Sequence, residues 1–250
     1  MAVDLWLEVE AEPAGAAEWE FEGEGADWLP GSDHPFAAIA MRGRVVNGIP
    51  VGVGLGSSAA ARAASLALRG VAGRELLART VALEGHPDNA AAAVQGGIVA
   101  VVGGTVHRLP APRAEVALFV AANPVATETA RSVLPDRVSR EDAVYNAARL
   151  ALLVRALHTR RYELFAEALG DRLHQPYRGR LYPWLPAVLE AALAAGAYGA
   201  ALAGAGPSVV AFTPNGAGAE VGEAMRKAAA VEGRVIVTRP VRTGLKVTRR

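Results

Sequence analysis

Apolar and polar positions alternate at the start of the chain, Leu5, Leu7 and Val9 against Trp6, Glu8 and Glu10, and the pattern returns from Glu18 to Glu22. A period of two predicts a strand over Asp4–Glu10 and another over Glu18–Glu22, each with one face in water. Turn-forming residues crowd the stretch from Gly23 to Asp33, and His34–Arg42 then predicts a short helix. Val45–Pro50 reads as a strand feeding a glycine-rich loop, Ser57–Val71 as the helix that the loop opens, and Arg74–Leu83 as a second helix. Next comes the corner Glu84-Gly85-His86-Pro87-Asp88-Asn89, where Asp88 or Asn89 can cap the alanine-rich segment that follows, Ala90 to Val94.

The second half opens on an apolar strand, Val116–Ala122. Thr127 starts a short helix in which Arg131 falls one turn later on the same face, so a hydroxyl and a guanidinium can point at one ligand. Ser139-Arg140-Glu141-Asp142 caps a long helix reaching about His158, with Ala148, Leu152 and Leu153 among its apolar positions. The polar cluster Asp171–Arg178, broken by Pro176, reads by composition as a surface loop. Small residues from Gly199 to Gly206 run into an apolar strand near Phe212, Gly216–Ala230 is a helix, and Val235–Thr238 and Leu245–Thr248 close the chain as strands. This order predicts an α+β layer. The Pro-Ala-Pro break near Pro110–Arg113 gives domains 1–112 and 113–250.

Composition narrows the function classes. A chain of 250 residues with 52% hydrophobic content has enough apolar material for a real core. Its formal net charge of +1 speaks against nucleic acid as a partner, since that binding needs a basic surplus. The absence of cysteine removes disulfides, thiolate metal sites and cysteine nucleophiles. Only Lys227 and Lys246 among the 26 basic residues are lysines, which leaves 24 arginines. In so alanine-rich a chain this first reflects the codon bias of a GC-rich genome, although the planar guanidinium also suits carboxylates and phosphates. No apolar run of about 18 residues and no basic-then-apolar leader is visible, so a soluble, cytoplasmic protein with no membrane partner is expected.

The densest chemical signal is the stretch Pro50, Val51, Gly52, Val53, Gly54, Leu55, Gly56, Ser57, Ser58, Ala59, Ala60. Alternate glycines let a backbone turn sharply and bring its N–H groups near a bulky anion, and a helix N-terminus adds free amides and the positive dipole end. The stretch lacks the Gly-Lys-Ser/Thr of a Walker loop and the spacing of a dinucleotide fingerprint. Close to it in sequence, Glu84 is a natural hard-oxygen ligand for a magnesium ion bridging phosphates, with Ser58, or else Ser57, supplying a hydroxyl. His86, beside a proline corner, reads as structural.

The loop resembles the ATP-binding motif of the GHMP kinases, P-x-x-x-G-L-G-S-S-A-A, at each specified position. Glu84–Ala93 with Gly96-Gly97 is similar to a corner of the homoserine kinase branch, as are Thr127–Arg131 with Leu134-Pro135, and His174-Gln175-Pro176-Tyr177-Arg178 with Leu181 and Pro183. Gly204-Ala205-Gly206-Pro207-Ser208-Val209 resembles the third family motif, with Ala203 where serine is usual. The resemblance implies an N-terminal ATP-binding domain like the ribosomal protein S5 second domain and a ferredoxin-like C-terminal domain. It further implies that Arg131 and Arg178 grip an α-carboxylate, a task for which paired planar forks are well suited. Asn89, helped by Asp88, is expected to orient the acceptor hydroxyl of homoserine, with ATP and Mg2+ as cofactors. No general base is evident, so the hydroxyl proton can pass to a phosphate oxygen. Another small-molecule kinase of the family, taking an isoprenoid or sugar alcohol, and a non-catalytic ligand-binding relative are the alternatives. Oligomeric state stays open, a homodimer included. The family's first motif has no counterpart before Asp4, so an upstream segment, with Met1 as an internal start, and a poorly active chain as written are expected.

Overall fold

A computed structural model describes residues 1–27, 34–123 and 127–248, with Thr127 and Glu128 described in backbone alone. The chain divides into two compact units, one of Met1–Val51, Gly56–Arg108 and Val241–Arg250, the other of Gly52–Leu55 and Leu109–Pro240. From sequence a single cut at 112/113 is expected; the first unit also holds Val241–Arg250, and the second Gly52–Leu55.

In the first unit, β1 (Leu7–Pro13), β2 (Glu18–Gly23) and β3 (Met41–Asn47) form a sheet in the order β1-β3-β2, antiparallel on one side of β3 and parallel on the other. Alternation sorts the faces: Glu10, Arg44 and Glu20 stand side by side on the wet one, while Val9, Val45 and Phe21 turn toward Phe36, Ile39 and Ala61. The helix expected over His34–Arg42 is absent. Residues 34–40 form turns, and Met41 and Arg42 already pair with β1, because Phe36 and Ile39 fill the apolar side of the sheet and leave no helical continuation. Positions 28–33 of the turn-rich stretch lie outside the described residues.

Helices α1 (Ser57–Leu68), α2 (Gly73–Glu84) and α3 (Pro87–Gln95) follow, then a hairpin of β4 (Ile98–Val102) and β5 (Thr105–Leu109) turning at Gly103-Gly104. The expected closing strand Leu245–Thr248 is not a strand. Its alternating Leu245 and Val247 report one apolar side rather than a sheet partner: Leu245 packs against Leu66, Val71 and Leu76 and donates its N–H to the Ala93 carbonyl at 2.9 Å. This segment crosses the end of α3 so closely that a Cβ at Gly96 would lie 2.3 Å from the Thr243 carbonyl carbon, which accounts for Gly96.

The second unit runs β6 (Glu115–Ala121), α4 (Thr127–Ser132), α5 (Arg140–Thr159), α6 (Phe165–Ala168), α7 (Gln175–Arg178), α8 (Leu185–Ala194), β7 (Gly199–Leu202), β8 (Val209–Thr213), α9 (Gly218–Ala229) and β9 (Gly233–Thr238). Its four strands pair antiparallel in the order β7-β8-β6-β9, the ferredoxin-like arrangement. Ala117, Phe119, Val209 and Ala211 pack there with Val188, Ala192, Val221 and Met225 of α8 and α9. A fully buried Phe or Val of this kind contributes about 1.5–3 kcal/mol. The Ser139 hydroxyl caps α5, accepting from the Asp142 N–H at 3.0 Å. Ala148 of α5 is exposed and Leu152 and Leu153 are half-buried, since only Ala156 and Leu157 are fully inside.

Candidate active site

Gly56, at φ +83°, is the N-cap of α1, and no side chain caps the first turn. The two loop serines part company there. Ser57 is buried and its hydroxyl faces the Asn47 amide at 3.3 Å, part of a set of bonds by which Asn47 also holds Ile49 N–H and the carbonyls of Glu24 and Ile49. Ser58 donates to Glu84 Oε1 at 2.7 Å, and Arg62, one turn along α1, reaches the same oxygen at 3.0 Å and the Leu83 carbonyl. The Glu84 side chain is only 7% exposed, so it sits in a buried three-way contact and not on an open corner.

The expected caps at the corner are replaced. His86 holds the N-cap position of α3 without a side-chain bond, and Asp88 and Asn89 lie within the first turn. Pro87 at the first helical position fixes this frame, because its ring presets φ and needs no N–H partner. Asp88 pairs with His86 Nδ1 and accepts from the Asn89 N–H at 2.9 Å. Desolvation pushes its carboxyl up, but these bonds and the His86 charge win and hold it below the usual range. The Asn89 side chain abuts the start of α1, its Cγ 3.5 Å from where a Gly56 Cβ would stand.

In the second unit the loop tip Gly52–Leu55 is clasped by the small-residue turn after β7. A Cβ on Gly54 would lie 2.3 Å from the Ala203 carbonyl oxygen, and Gly54 has φ +81°, so only glycine fits. The Ser208 N–H donates to the Val53 carbonyl at 3.3 Å. The backbones of Ala203 and Ser208 make these contacts, and a missing serine hydroxyl at position 203 leaves them intact.

The Asp171–Arg178 cluster is ordered by side-chain bonds and ends in α7. Arg178 Nε donates to the Ala130 carbonyl at 3.2 Å and its NH1 to the Gly204 carbonyl at 2.7 Å. The first bond brings Arg178 to the residue next to Arg131, which is exposed on α4. The Thr127 side chain, paired with Arg131 from sequence, lies outside the described residues. Asp171 accepts from Asn146 and from the N–H groups of Leu173, His174 and Gln175. Burial pushes its carboxyl up, yet the bonds from His174, Asn146, Gln175 and Leu173 hold it far below the ordinary range.

Residues 31–97 match the GHMP kinases N terminal domain and residues 153–231 the GHMP kinases C terminal region. A homoserine kinase of Thermus thermophilus is 42% identical over 95% of this chain and 88% of its own length. The chain belongs to the GHMP kinase family. A homoserine kinase of Moorella thermoacetica is 39% identical over 93% of this chain and 87% of its own length. Among solved structures, a homoserine kinase from Cytophaga hutchinsonii superposes with a TM-score of 0.81 at 24% identity, covering 97% of this chain and 89% of that one. An L. major mevalonate kinase in complex with R-mevalonate gives 0.68 at 12% identity, covering 96% and 89%, and shows the shared fold alone. The α+β fold expected from the motifs is therefore that of the family, a family of phosphotransferases that use ATP.

Sequence reading gives no role to Arg62 or Asn47, and places Asp171 and Gln175 in a polar cluster without a role of their own. Arg62 was legible as the i+4 partner of Ser58 on α1. Asn47 and Gln175 act on backbone groups of distant segments and Asp171 on the distant Asn146 side chain, relations that spacing does not carry, while the bonds of Asp171 to the N–H groups two to four residues on are local.

Proposed function

We propose that this chain transfers the γ-phosphoryl group of ATP to the side-chain hydroxyl of L-homoserine, giving O-phospho-L-homoserine in the route to threonine. Relatives bearing the homoserine kinase name at 36–42% identity over 93–95% of the chain support this reading. The observation that carries the substrate class is the bond from Arg178 Nε to the Ala130 carbonyl, which brings one candidate carboxylate arginine's side chain to the residue preceding the other, Arg131. Each charge-assisted bond from such a fork is worth about 1.5–3 kcal/mol, which a sugar or isoprenoid alcohol without a carboxylate at that place forgoes.

In this reading Pro50–Ala60 surrounds the phosphates, Asn89 with Asp88 orients the acceptor hydroxyl, and Arg131 and Arg178, with the Thr127 hydroxyl, hold the amino-acid end. Among the described residues no three His, Cys, Asp or Glu side chains form a metal cluster. Magnesium needs none, because it is bound through one or two carboxylates with phosphate oxygens and water completing the shell. Ser58 Oγ and Glu84 Oε1, 2.7 Å apart, fit that donor set, while the Ser57 hydroxyl is turned to Asn47. What such an ion supplies when bound is neutralisation of charge on the transferred group. The protein's share is positioning: the α1 amides face the phosphates, and the acceptor is held with its hydroxyl in line. The partner this requires is a small molecule, neither nucleic acid nor membrane, and the setting is the cytoplasm, where a kinase finds ATP. Among the described residues no helix is long and apolar enough to cross a membrane.

ADP release measured with purified protein against homoserine, mevalonate and a panel of sugar alcohols tests the proposal. Homoserine should exceed each of the others in kcat/KM by about ten-thousandfold, the scale set by unpaired polar groups in a wrong complex. Equal rates on an acceptor without a carboxylate would overturn it.

A further inference from the structure

Asp171 sits at the centre of a small scaffold. Its side chain is 13% exposed, its Oδ1 accepts from Asn146 Nδ2 at 2.7 Å and from Leu173 N–H at 2.9 Å, and its Oδ2 accepts from His174 N–H at 2.8 Å and Gln175 N–H at 2.5 Å. Four bonds occupy about all the lone-pair directions a carboxylate has. Asn146 lies on α5, and its neighbour Tyr145 is stacked between the guanidinium groups of Arg149 and Arg172, 3.9 and 4.1 Å from the ring centre. The start of α7 is thus fastened to a 20-residue helix.

From α7 onward, three side chains at i, i+3 and i+7 reach one stretch of backbone. Gln175 Oε1 accepts from Leu202 N–H at 2.9 Å, Arg178 NH1 donates to the Gly204 carbonyl at 2.7 Å, and the Tyr182 hydroxyl donates to the Ala205 carbonyl at 3.0 Å. That stretch is the turn that clasps Gly54. A Cβ on Gly204 would stand 2.9 Å from the Gly54 carbonyl oxygen, and the Val53 carbonyl receives the Ser208 N–H. Direct contacts therefore run without a break from Asp171 to the tip of the glycine loop.

We propose that this α7 segment is a clamp in which Asp171 is a positioning residue and Arg178 couples the carboxylate end of the acceptor to the shape of the nucleotide loop. The proposal rests on the acceptor reading above for one end of the coupling and on the glycine loop for the other. An acceptor carboxylate that fixes the Arg178 guanidinium also fixes Gly204, and through it the backbone that meets the phosphates. Acceptor and nucleotide then bind better together than apart, by equal factors in each direction.

The test is calorimetric titration of the full chain with a non-hydrolysable ATP analogue and magnesium, with and without saturating homoserine. The unaltered protein should bind the analogue about fivefold or more tightly when homoserine is present. Asp171→Asn and Arg178→Lys should each weaken analogue binding without homoserine by about tenfold, the loss of one charge-assisted bond, and reduce the coupling ratio to near one. Arg226→Ala, which removes an exposed pair with Glu223 along α9, should change neither value. Should Asp171→Asn fail to fold, Tyr182→Phe takes its place with a smaller expected weakening of about threefold. Analogue constants within about twofold of the unaltered protein in Arg178→Lys and in the second variant would overturn the clamp, given the usual size of one lost bond. If homoserine is not phosphorylated but the variants still weaken the analogue, the acceptor assignment falls and the clamp on the loop stands.

Discussion

At the start of α1 the functional side chains meet each other, Ser58 and Arg62 both on Glu84 Oε1; around α7 they meet backbone, Arg178 on the carbonyls of Ala130 and Gly204. The first arrangement is a set of mutually satisfied charges and hydroxyls, so changing one member strips its neighbours of a partner. The second transmits position, so changing a member moves main chain some distance away. Substitutions in the first should register in turnover, and substitutions in the second in binding constants.

The largest effect is expected from Glu84→Gln. Removing a charged metal ligand should lower kcat by about a hundredfold or more, taking the cost of losing an outer-shell partner as the floor. Because Glu84 is buried beside Arg62, a thermal melt must accompany the assay; near-normal kcat at saturating magnesium would make Glu84 a structural partner only. Gly54→Ala comes next, with a loss of about 1–3 kcal/mol in stability from a strained φ and a Cβ driven into the Ala203 carbonyl. An unchanged melting temperature would mean that the loop tip is free to move off the clasp.

Arg131→Lys should raise the KM for homoserine about tenfold, and by more than it raises that for ATP, since a point charge replaces a planar fork, whereas Arg178→Lys, whose side chain also holds the Gly204 carbonyl beside the loop, should raise both constants. If only the ATP constant shifted, these arginines would belong to the phosphate side. The smallest effect concerns pH. Asp171 is depressed in the folded state, so its stabilisation is fully present above the unfolded value near 4 and fades as pH falls below it toward the folded value. The gap in melting temperature between unaltered protein and Asp171→Asn should stay constant from about pH 8 to 5 and narrow below about 4. A gap independent of pH in that acid range would assign the effect to packing instead of charge.

Period and spacing were enough to read β2, α1, α2, α4, α5 with its Ser139 cap, and β6, because each is settled by local propensity or by a continuous apolar run. Two expectations failed where tertiary pairing overrode local preference. Met41 and Arg42 joined β3, and Leu245 filled a crevice by α1 and α2 in place of a sheet edge. The β4–β5 hairpin went unread although its Gly103-Gly104 turn is a standard signal between two apolar runs.

Residue identity along the chain determined the family, the glycine loop, and the chemical types gathered at the candidate site, since an anion cradle and a guanidinium fork are properties of the residues themselves. Which serine faces Glu84 and what Arg178 touches were decided only by the fold. Those choices depend on where Asn47 and the Gly204 and Ala130 carbonyls come to lie, and hydrogen bonds between residues 10, 26 or 48 positions apart leave no periodic trace in the sequence.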